Sequence, residues 1–263
     1  MNIALFGGTF DPVHKGHLAL AQAAQQRFDL KQIHFVPAHV PPLRPDAPLA
    51  AFEDRYAMLA LATLGEKAFF PSRLEAPGNH AGQGNNPGEV IEMPRSRKGG
   101  KPAFGHAHGT GPGTNYSIDT VRRFKRTLGK SDRLFFIIGI DAFLKIAQWK
   151  EPEALLGETE FIVGSRPGHS LAQVAEALPE NIRPKKEVSQ AFRKQPPQGE
   201  LVLGRAHIHF LEGVNVPVSS TQIRAAAAAG RSIARFVPES VAEYIRKMRL
   251  YRTATAKVVE GTG

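Results

Sequence analysis

The sequence predicts an α/β fold, in which a parallel sheet carries helices on both faces of a single domain with loop insertions. Two patterns support this prediction: short apolar runs that end at Gly or Pro, and segments of helical periodicity that alternate with them. The length of 263 residues and the hydrophobic content of 42% suit one large domain.

Six short apolar runs are expected to form strands. The first, residues 2–6, stops at two glycines, and the most apolar, residues 133–138, reads RLFFII. Residues 206–211 are expected to form the last strand of the chain. The other three runs are residues 32–37, 67–71 and 159–163.

Segments with helical periodicity separate these runs. Ser117 is expected to cap the helix that begins beside it. The predicted helices cover residues 16–28, 52–64, 117–128, 141–146, 151–156, 171–178, 219–229 and 238–250. Strands that alternate with helices in this way form a Rossmann-like parallel sheet, in which ligands bind beyond the carboxyl ends of the strands.

Two segments depart from this alternation and are interpreted as loop insertions. Residues 76–113 contain ten glycines and five prolines with almost no apolar periodicity, a composition that favours disorder. Residues 180–200 are polar and basic. The predicted domain therefore spans residues 1–250 with these two insertions, and residues 251–263 are expected to form a flexible tail.

The composition excludes several classes of chemistry. Without cysteine there is no disulfide, thiolate nucleophile or Cys-ligated zinc. The net charge of +10 is spread along the chain with no RNA-recognition motif, which favours a solvated basic surface over a nucleic-acid groove. No targeting or membrane-spanning pattern is visible, so we expect a cytoplasmic protein with neither a membrane nor a nucleic acid as partner.

Residues 7–17 (GGTFDPVHKGH) have the properties of a phosphate-binding loop between the first strand and the first helix. Gly7 and Gly8 allow a tight turn and a close approach of a ligand to the backbone. The helix that follows presents free N–H groups and the positive end of its dipole. His14 and His17 are three residues apart, so both can face the first turn and donate hydrogen bonds to phosphate oxygens.

Residues 218–224 (VSSTQIR) supply a second candidate anion site at the start of a late helix. Ser219 and Ser220 are residues of the type that caps helix N-termini. Arg224 lies one turn inside the same helix, where its guanidinium can reach a phosphate held at the helix end.

Both strings resemble signatures of the nucleotidyltransferase superfamily, namely H-x-G-H and I-S-[SA]-T-x-I-R. The more extensive similarity is to bacterial nicotinate-nucleotide adenylyltransferases, and it covers most of the chain outside the two insertions and the tail. It is carried by residues 36–45 (VPAHVPPLRP), 116–121 (YSIDTV), 136–143 (FIIGIDAF) and 165–168 (SRPG), and by Trp149.

The resemblance implies a role for each residue that matches. The catalytic residues would be His14, His17 and Arg224. The residues that bind ATP would be Gly7, Gly8, Thr9, Phe10, Lys15, Gly139, Asp141, Ser219, Ser220 and Thr221. The residues that bind the pyridine mononucleotide would be Tyr116, Ser117, Trp149 and Arg166.

The reaction implied by the resemblance is attack of the 5′-phosphate of nicotinate mononucleotide on the α-phosphorus of ATP, with Mg²⁺ accompanying ATP and pyrophosphate leaving. The same chemistry on nicotinamide mononucleotide or phosphopantetheine stays open, because the sequence does not show which groups distinguish acid from amide. A function of another class, a nucleotide- or RNA-binding protein without catalysis, rests on the net charge alone. The oligomeric state, homo-oligomers included, is also open.

The sequence departs from the family pattern at several positions of the site, and Ala38 and His39 replace a pair that is often Asn-rich. Leu43 stands where the family usually has His, and Ser117 replaces a Thr while keeping its hydroxyl. Two His-x-His pairs lack an evident third ligand, so we interpret them as incidental rather than metal-binding. These pairs are His106 with His108 and His207 with His209.

Overall fold

A computed structural model describes residues 1–40, 50–77, 115–165, 169, 171–185, 199–211 and 216–252 of the chain. The described strands form one seven-stranded sheet in the order β3-β2-β1-β4-β5-β7-β6. The strands are β1 (Asn2–Gly8), β2 (Gln32–Pro37), β3 (Phe69–Pro71), β4 (Arg133–Gly139), β5 (Glu160–Gly164), β6 (Gly199–Leu203) and β7 (Ala206–Leu211).

Every neighbouring pair in this described sheet is parallel except β6 with β7. At the centre, Phe6 of β1 is paired with Phe35 of β2 on one side and with Ile137 of β4 on the other. The parallel sheet predicted from the alternation of strands and helices is therefore confirmed.

The described helices are α1 (Lys15–Phe28), α2 (Phe52–Ala62), α3 (Ser117–Lys125), α4 (Ile140–Phe143), α5 (Pro152–Glu158), α6 (Leu171–Glu176), α7 (Ser220–Ala228) and α8 (Glu239–Lys247). Each corresponds to a predicted helix with shifted bounds. The predicted helix 141–146 is divided, because α4 ends at Phe143 and a 3₁₀ turn follows at Ile146–Gln148. No helix among the described residues is long and apolar enough to cross a membrane.

Strand β6 corrects the interpretation of residues 180–200 as an insertion throughout. Gly199–Leu203 pairs antiparallel with β7, and a two-residue turn joins the two strands. Gly204 in that turn has a φ of +58°, a conformation that glycine adopts without strain. The apolar run LVL followed by Gly is therefore the first half of a hairpin.

The side chains of the strands alternate between two cores, one on each face of the sheet. In β1, Ala4 and Phe6 belong to one core and Ile3 and Leu5 to the other. Helices α1, α2, α7 and α8 cover the first face, and α3, α4, α5 and α6 cover the second. Because both faces are covered, β1, β4 and β5 are apolar after their polar first residues.

Two helix N-termini near the site differ in how they are capped. Tyr116, and not Ser117, is the N-cap of α3, and it makes no side-chain capping bond, so the predicted cap is wrong by one residue. Ser219 caps α7 as predicted from its residue type: its Oγ accepts from the Gln222 N–H at 3.3 Å.

The described chain ends in contact with the domain. Tyr251, the first residue of the predicted tail, donates its hydroxyl proton to Oδ1 of Asp11 at 2.7 Å. The assignment of Tyr251 to a frayed tail is therefore wrong, because this hydroxyl bonds a fully buried carboxylate. Residues 253–263 lie outside the described chain.

Candidate active site

The candidate site lies at the carboxyl ends of β1 and β4, which are parallel neighbours in the sheet. The chain leaves β1 toward β2 on one side and leaves β4 toward β5 on the other. Such a switch point opens a crevice in which α/β proteins bind ligands. The loop after Gly8 and the turn at Gly139 are therefore both at this edge.

Gly7 and Gly8 belong to the end of β1 and not to a turn, and each makes room for an aromatic ring. A Cβ on Gly7 would lie 2.8 Å from Cζ of Phe136, and one on Gly8 would lie 3.0 Å from Cζ of Phe10. Phe10 is buried and has a φ of +50°. Its ring therefore belongs to the core. Gly139, in contrast, has open space where its Cβ would lie.

His14 and His17 cap the N-terminus of α1 together. The His14 N–H donates to Nδ1 of His17 at 3.2 Å, and the His17 N–H donates to Nδ1 of His14 at 3.3 Å. The two rings stack with centroids 3.6 Å apart and planes at 19°. The edge of the Phe10 ring supports His17, with centroids 5.0 Å apart.

This reciprocal cap fixes the tautomer of both imidazoles. A ring nitrogen that accepts a hydrogen bond carries no proton, so each neutral ring has its proton on Nε2. Both Nε2–H groups are thereby donors beside the first turn of α1, where the positive end of the helix dipole also attracts anions. The arrangement suits phosphate oxygens.

Arg224 reaches the same loop from α7. Its Nη1 donates to the Asp11 carbonyl at 2.7 Å, and its Nη2 donates to Oγ1 of Thr221 at 3.3 Å. The Ser220 hydroxyl donates to the Pro12 carbonyl at 3.0 Å. The first turns of α1 and α7 therefore converge on residues 11–14, and the structure brings His14, His17 and Arg224 to one loop.

Asp11 is a buried polar residue of the motif to which sequence analysis gave no role. Its side chain is fully buried, and Oδ1 accepts from the Ala50 N–H at 3.1 Å and from the Tyr251 hydroxyl at 2.7 Å. Among the residues that the structure describes, its Oδ2 has no hydrogen-bond partner, and it lies 3.7 Å from Nη1 of Arg224. Burial raises the pKa of this carboxyl above its usual value.

Arg55 is a second residue that sequence reasoning missed. Its side chain is 1% exposed, and its guanidinium donates to the carbonyls of Thr9, Ala38, Ala50 and His39. It thereby ties the motif loop to the segment after β2. The helical periodicity could have indicated that Arg55 is buried, because it lies on the same face of α2 as Phe52 and Leu59.

The other residues expected to bind ATP occupy varied positions at this edge. Thr9 contributes its carbonyl to Arg55. Asp141 is exposed in the first turn of α4, whose N-cap is Gly139. Lys15 is exposed and donates from Nζ to the Ala234 carbonyl at 3.2 Å, toward the segment between α7 and α8.

The residues expected to bind the pyridine mononucleotide lie beyond β4. Trp149 is half-buried and contacts Phe136 edge to face, with ring centroids 6.3 Å apart. The Phe136 ring occupies the space that a Cβ on Gly7 would need. Nζ of Lys150 lies 4.8 Å from the centroid of the Tyr116 ring. Ser117 is the first residue of α3 and is also half-buried. Trp149 thus contacts the ring that lies beside Gly7 of the motif loop.

Several predicted positions lie outside the described residues. Arg166 and Leu43 are among them, as are His106 and His108.

The pair His207 and His209 is described and lies beside carboxylates. Nε2 of His209 is 2.9 Å from Glu160 Oε2, and Nδ1 of His207 is 3.5 Å from Glu200 Oε1. Glu160 also accepts two hydrogen bonds from one nitrogen of Arg133. Across the described ranges there is no group of three or more side chains arranged to hold a metal ion.

Comparison with known proteins identifies the family. Residues 5–226 match the family described as cytidylyltransferase-like. A protein of Moorella thermoacetica named "Probable nicotinate-nucleotide adenylyltransferase" is 34% identical over 98% of this chain and 95% of its own length. A protein of Pelobacter propionicus with the same name is 33% identical over 95% of this chain and 98% of its own.

Solved structures agree on the fold. The nicotinic acid mononucleotide adenylyltransferase of Plasmodium falciparum, solved in complex with APC, superposes with a TM-score of 0.57. The match covers 95% of this chain and 96% of that one, at 17% identity. From the extent of the curated matches, the chain belongs to the nicotinate-nucleotide adenylyltransferase family, within the cytidylyltransferase-like proteins.

Proposed function

We propose that this protein joins ATP and nicotinate mononucleotide, giving nicotinate adenine dinucleotide and pyrophosphate. The observation that carries the proposal is the convergence of two helix N-termini on residues 11–14, with His14, His17 and Arg224 on one loop. Two N-termini and three cationic or donor side chains match a polyphosphate in charge and in donor number. The names of the relatives support the choice of acceptor.

The reaction needs no protein nucleophile, because the acceptor phosphate is itself an anionic nucleophile. Catalysis then consists of holding the acceptor in line with the α-phosphorus and neutralising the charge that spreads over the phosphate oxygens. We assign this neutralisation to the Nε2–H groups of His14 and His17 and to the Arg224 guanidinium. The positive end of the α1 dipole adds to the attraction of the same oxygens.

Magnesium enters this proposal as part of the substrate, MgATP. The donors at the motif loop are imidazole N–H, guanidinium and backbone N–H groups, which bind phosphate oxygens and not a cation. The ion would remain on the phosphates, where it reduces their negative charge.

The acceptor side favours a pyridine ring over a pantetheine arm. Trp149 contacts Phe136, whose ring lies beside Gly7, and Tyr116 offers a second aromatic face. Lys150 approaches the Tyr116 ring with its positive charge while it pairs with Asp119 at 3.0 Å. A planar ring that bears a carboxylate gains from stacking and from this charge. Arg166 is proposed as a further contact to the same substrate.

A comparison of three acceptors tests the proposal. Purified protein is incubated with MgATP and with nicotinate mononucleotide, nicotinamide mononucleotide or 4′-phosphopantetheine, and products are identified by mass. We expect the highest kcat/KM with nicotinate mononucleotide. Product from phosphopantetheine alone would contradict the proposed acceptor while retaining the chemistry. Binding of ATP without any product would favour the nucleotide-binding alternative instead.

A further inference from the structure

A polar cluster surrounds Asp11 of the motif loop and includes Tyr251, near the end of the described chain. Asp11 is its centre: Oδ1 accepts from the Tyr251 hydroxyl and the Ala50 N–H, and Oδ2 faces Arg224 at 3.7 Å. The backbone carbonyl of the same Asp11 accepts from Arg224 at 2.7 Å. Arg224 therefore contacts Asp11 twice, at its carbonyl and at its carboxylate. The carboxylate in turn accepts from the Tyr251 hydroxyl.

The backbone after α8 brings Tyr251 to this position. Arg249 and Tyr251 have φ values of +55° and +64°, in the left-handed region that few residues other than glycine adopt. The Leu250 N–H donates to the Ile245 carbonyl, which closes the end of the helix. Surrounding contacts are needed to hold non-glycine residues in this conformation. The hydrogen bond from Tyr251 to Asp11 is such a contact.

The electrostatics of Asp11 depend on Tyr251. Burial raises the pKa of Asp11, and four neighbours oppose it: first the Tyr251 hydroxyl, then the Ala50 N–H and the charges of Arg224 and Arg55. Burial and the charge of Asp11 raise the pKa of Tyr251, so its hydroxyl keeps its proton and remains a donor. Tyr251 is therefore the strongest single support of the ionised carboxylate.

We propose that Tyr251 is a positioning residue for the transferase reaction, acting through Asp11 on Arg224. The inference rests on the proposed function, in which Arg224 touches the phosphates. Without the Tyr251 hydroxyl, the Asp11 carboxylate loses a donor and Arg224 loses the fixed counter-charge that aims it. The last described turn of the chain is in this way part of the support of the active site.

The test is the substitution Tyr251→Phe, which removes the hydroxyl and keeps the ring. We expect kcat to fall about tenfold or more, as for a lost hydrogen bond to a charged group, while the KM for the acceptor changes little. The acidic limb of the kcat profile should move to higher pH, because Asp11 would be protonated more easily. A residue with a merely structural role would not move that limb.

Tyr244→Phe is the matched control. Its hydroxyl, 2.9 Å from Asp54 Oδ1, joins α8 to α2 and makes no described contact with the motif loop. We expect Tyr244→Phe to keep the wild-type kcat and pH profile, and to change the melting temperature by about as much as Tyr251→Phe does. Equal losses of kcat in the two variants would overturn the inference, as would a Tyr251→Phe enzyme identical to wild type in kcat and pH profile.

A double-mutant cycle with Asp11→Asn isolates the route through the carboxylate. If Tyr251 acts through Asp11, adding Tyr251→Phe to Asp11→Asn should cause no further loss of kcat. A loss repeated in full in the double variant would overturn the inference. Absence of dinucleotide from the wild-type protein would instead overturn the proposed function, so the two failures are distinguishable.

Discussion

At the scale of single residues, the mutual cap of His14 and His17 explains why the motif needs histidine twice. Nδ1 of His17 accepts from the His14 N–H, and Nδ1 of His14 accepts from the His17 N–H, which also donates to the His14 carbonyl at 2.9 Å. Each Nε2–H is then directed by the same bond. One pair of residues therefore caps the N-terminus of α1 and supplies two donors for a phosphate.

The substitution His17→Ala tests the donor role. We expect kcat for dinucleotide formation to fall by ~10²-fold or more, which is typical for removal of a donor to the transition state. His207→Ala is the control, because His207 is a half-exposed histidine on β7 that pairs with Glu200. Steady-state kinetics of both variants decide the matter, and an unchanged rate in His17→Ala would contradict the catalytic assignment.

Glu75 is a buried carboxyl that joins the segment after β3 to α3. Its Oε1 accepts from the Thr120 hydroxyl at 2.7 Å, and its carbonyl accepts from Asn115 at 3.0 Å. Burial raises its pKa from 4.5 to about 7, and the charges of Arg123 and Arg55 partly oppose this rise. Near neutral pH, Glu75 therefore holds a proton that it would lose on unfolding.

Glu75→Gln should remove a pH dependence of stability. Because the folded-state pKa is the higher one, the stability linked to Glu75 is full below pH 4.5 and is lost as pH rises through about 7. From pH 4.5 to 8, wild type should lose on the order of 3 kcal/mol of unfolding free energy relative to Glu75→Gln. Urea denaturation at several pH values measures this, with exposed Glu239→Gln as control. A difference that stays constant with pH would refute the expectation.

At the scale of elements, the packing of α1 on β5 depends on glycine, which has no side chain, at residue 164. A Cβ on Gly164 would lie 2.6 and 2.7 Å from the two Cδ atoms of Leu20. Leu20 is itself buried in the core of that face, so it has little room to move. Glycine at the end of β5 thus sets how closely the helix behind the motif loop packs on the sheet.

Gly164→Ala should therefore destabilise the protein by about 1–3 kcal/mol, as overpacking of a core does. Gly139→Ala is the matched comparison, because its Cβ would meet nothing within 4 Å. We expect Gly139→Ala to keep the melting temperature and to raise the KM for ATP, since the family resemblance implies that Gly139 binds ATP. Thermal melts and ATP titrations of both variants check this, and equal melting temperatures would contradict the packing argument.

The order of the elements was predictable because buried parallel strands are apolar and helices are periodic. Strand β6 was not predicted, since the polar, basic residues before it masked the short run LVL, and its pairing depends on a turn at Gly204. The cap of α3 was misplaced because Tyr116 ends the preceding segment without a capping bond. Such boundaries depend on tertiary contacts rather than on residue type.

At the scale of the whole molecule, the candidate site is assembled from distant parts of the chain. Arg224 and Tyr251 contact Asp11 across 213 and 240 residues. The motifs identified His14, His17 and Arg224 as candidates, because each lies in a recognisable string. Arg55 and Tyr251 lie outside these strings and Asp11 lies inside the first one, but the roles of all three come from partners that only the fold brings together.

The fate of isotopically labelled oxygen tests the central claim most directly. Wild-type protein is given MgATP and nicotinate mononucleotide whose phosphate carries heavy oxygen, and both products are weighed by mass spectrometry. If the acceptor phosphate attacks the α-phosphorus, all of the label appears in the dinucleotide and the released pyrophosphate carries none. Label in the pyrophosphate, or no dinucleotide at all, would contradict the account.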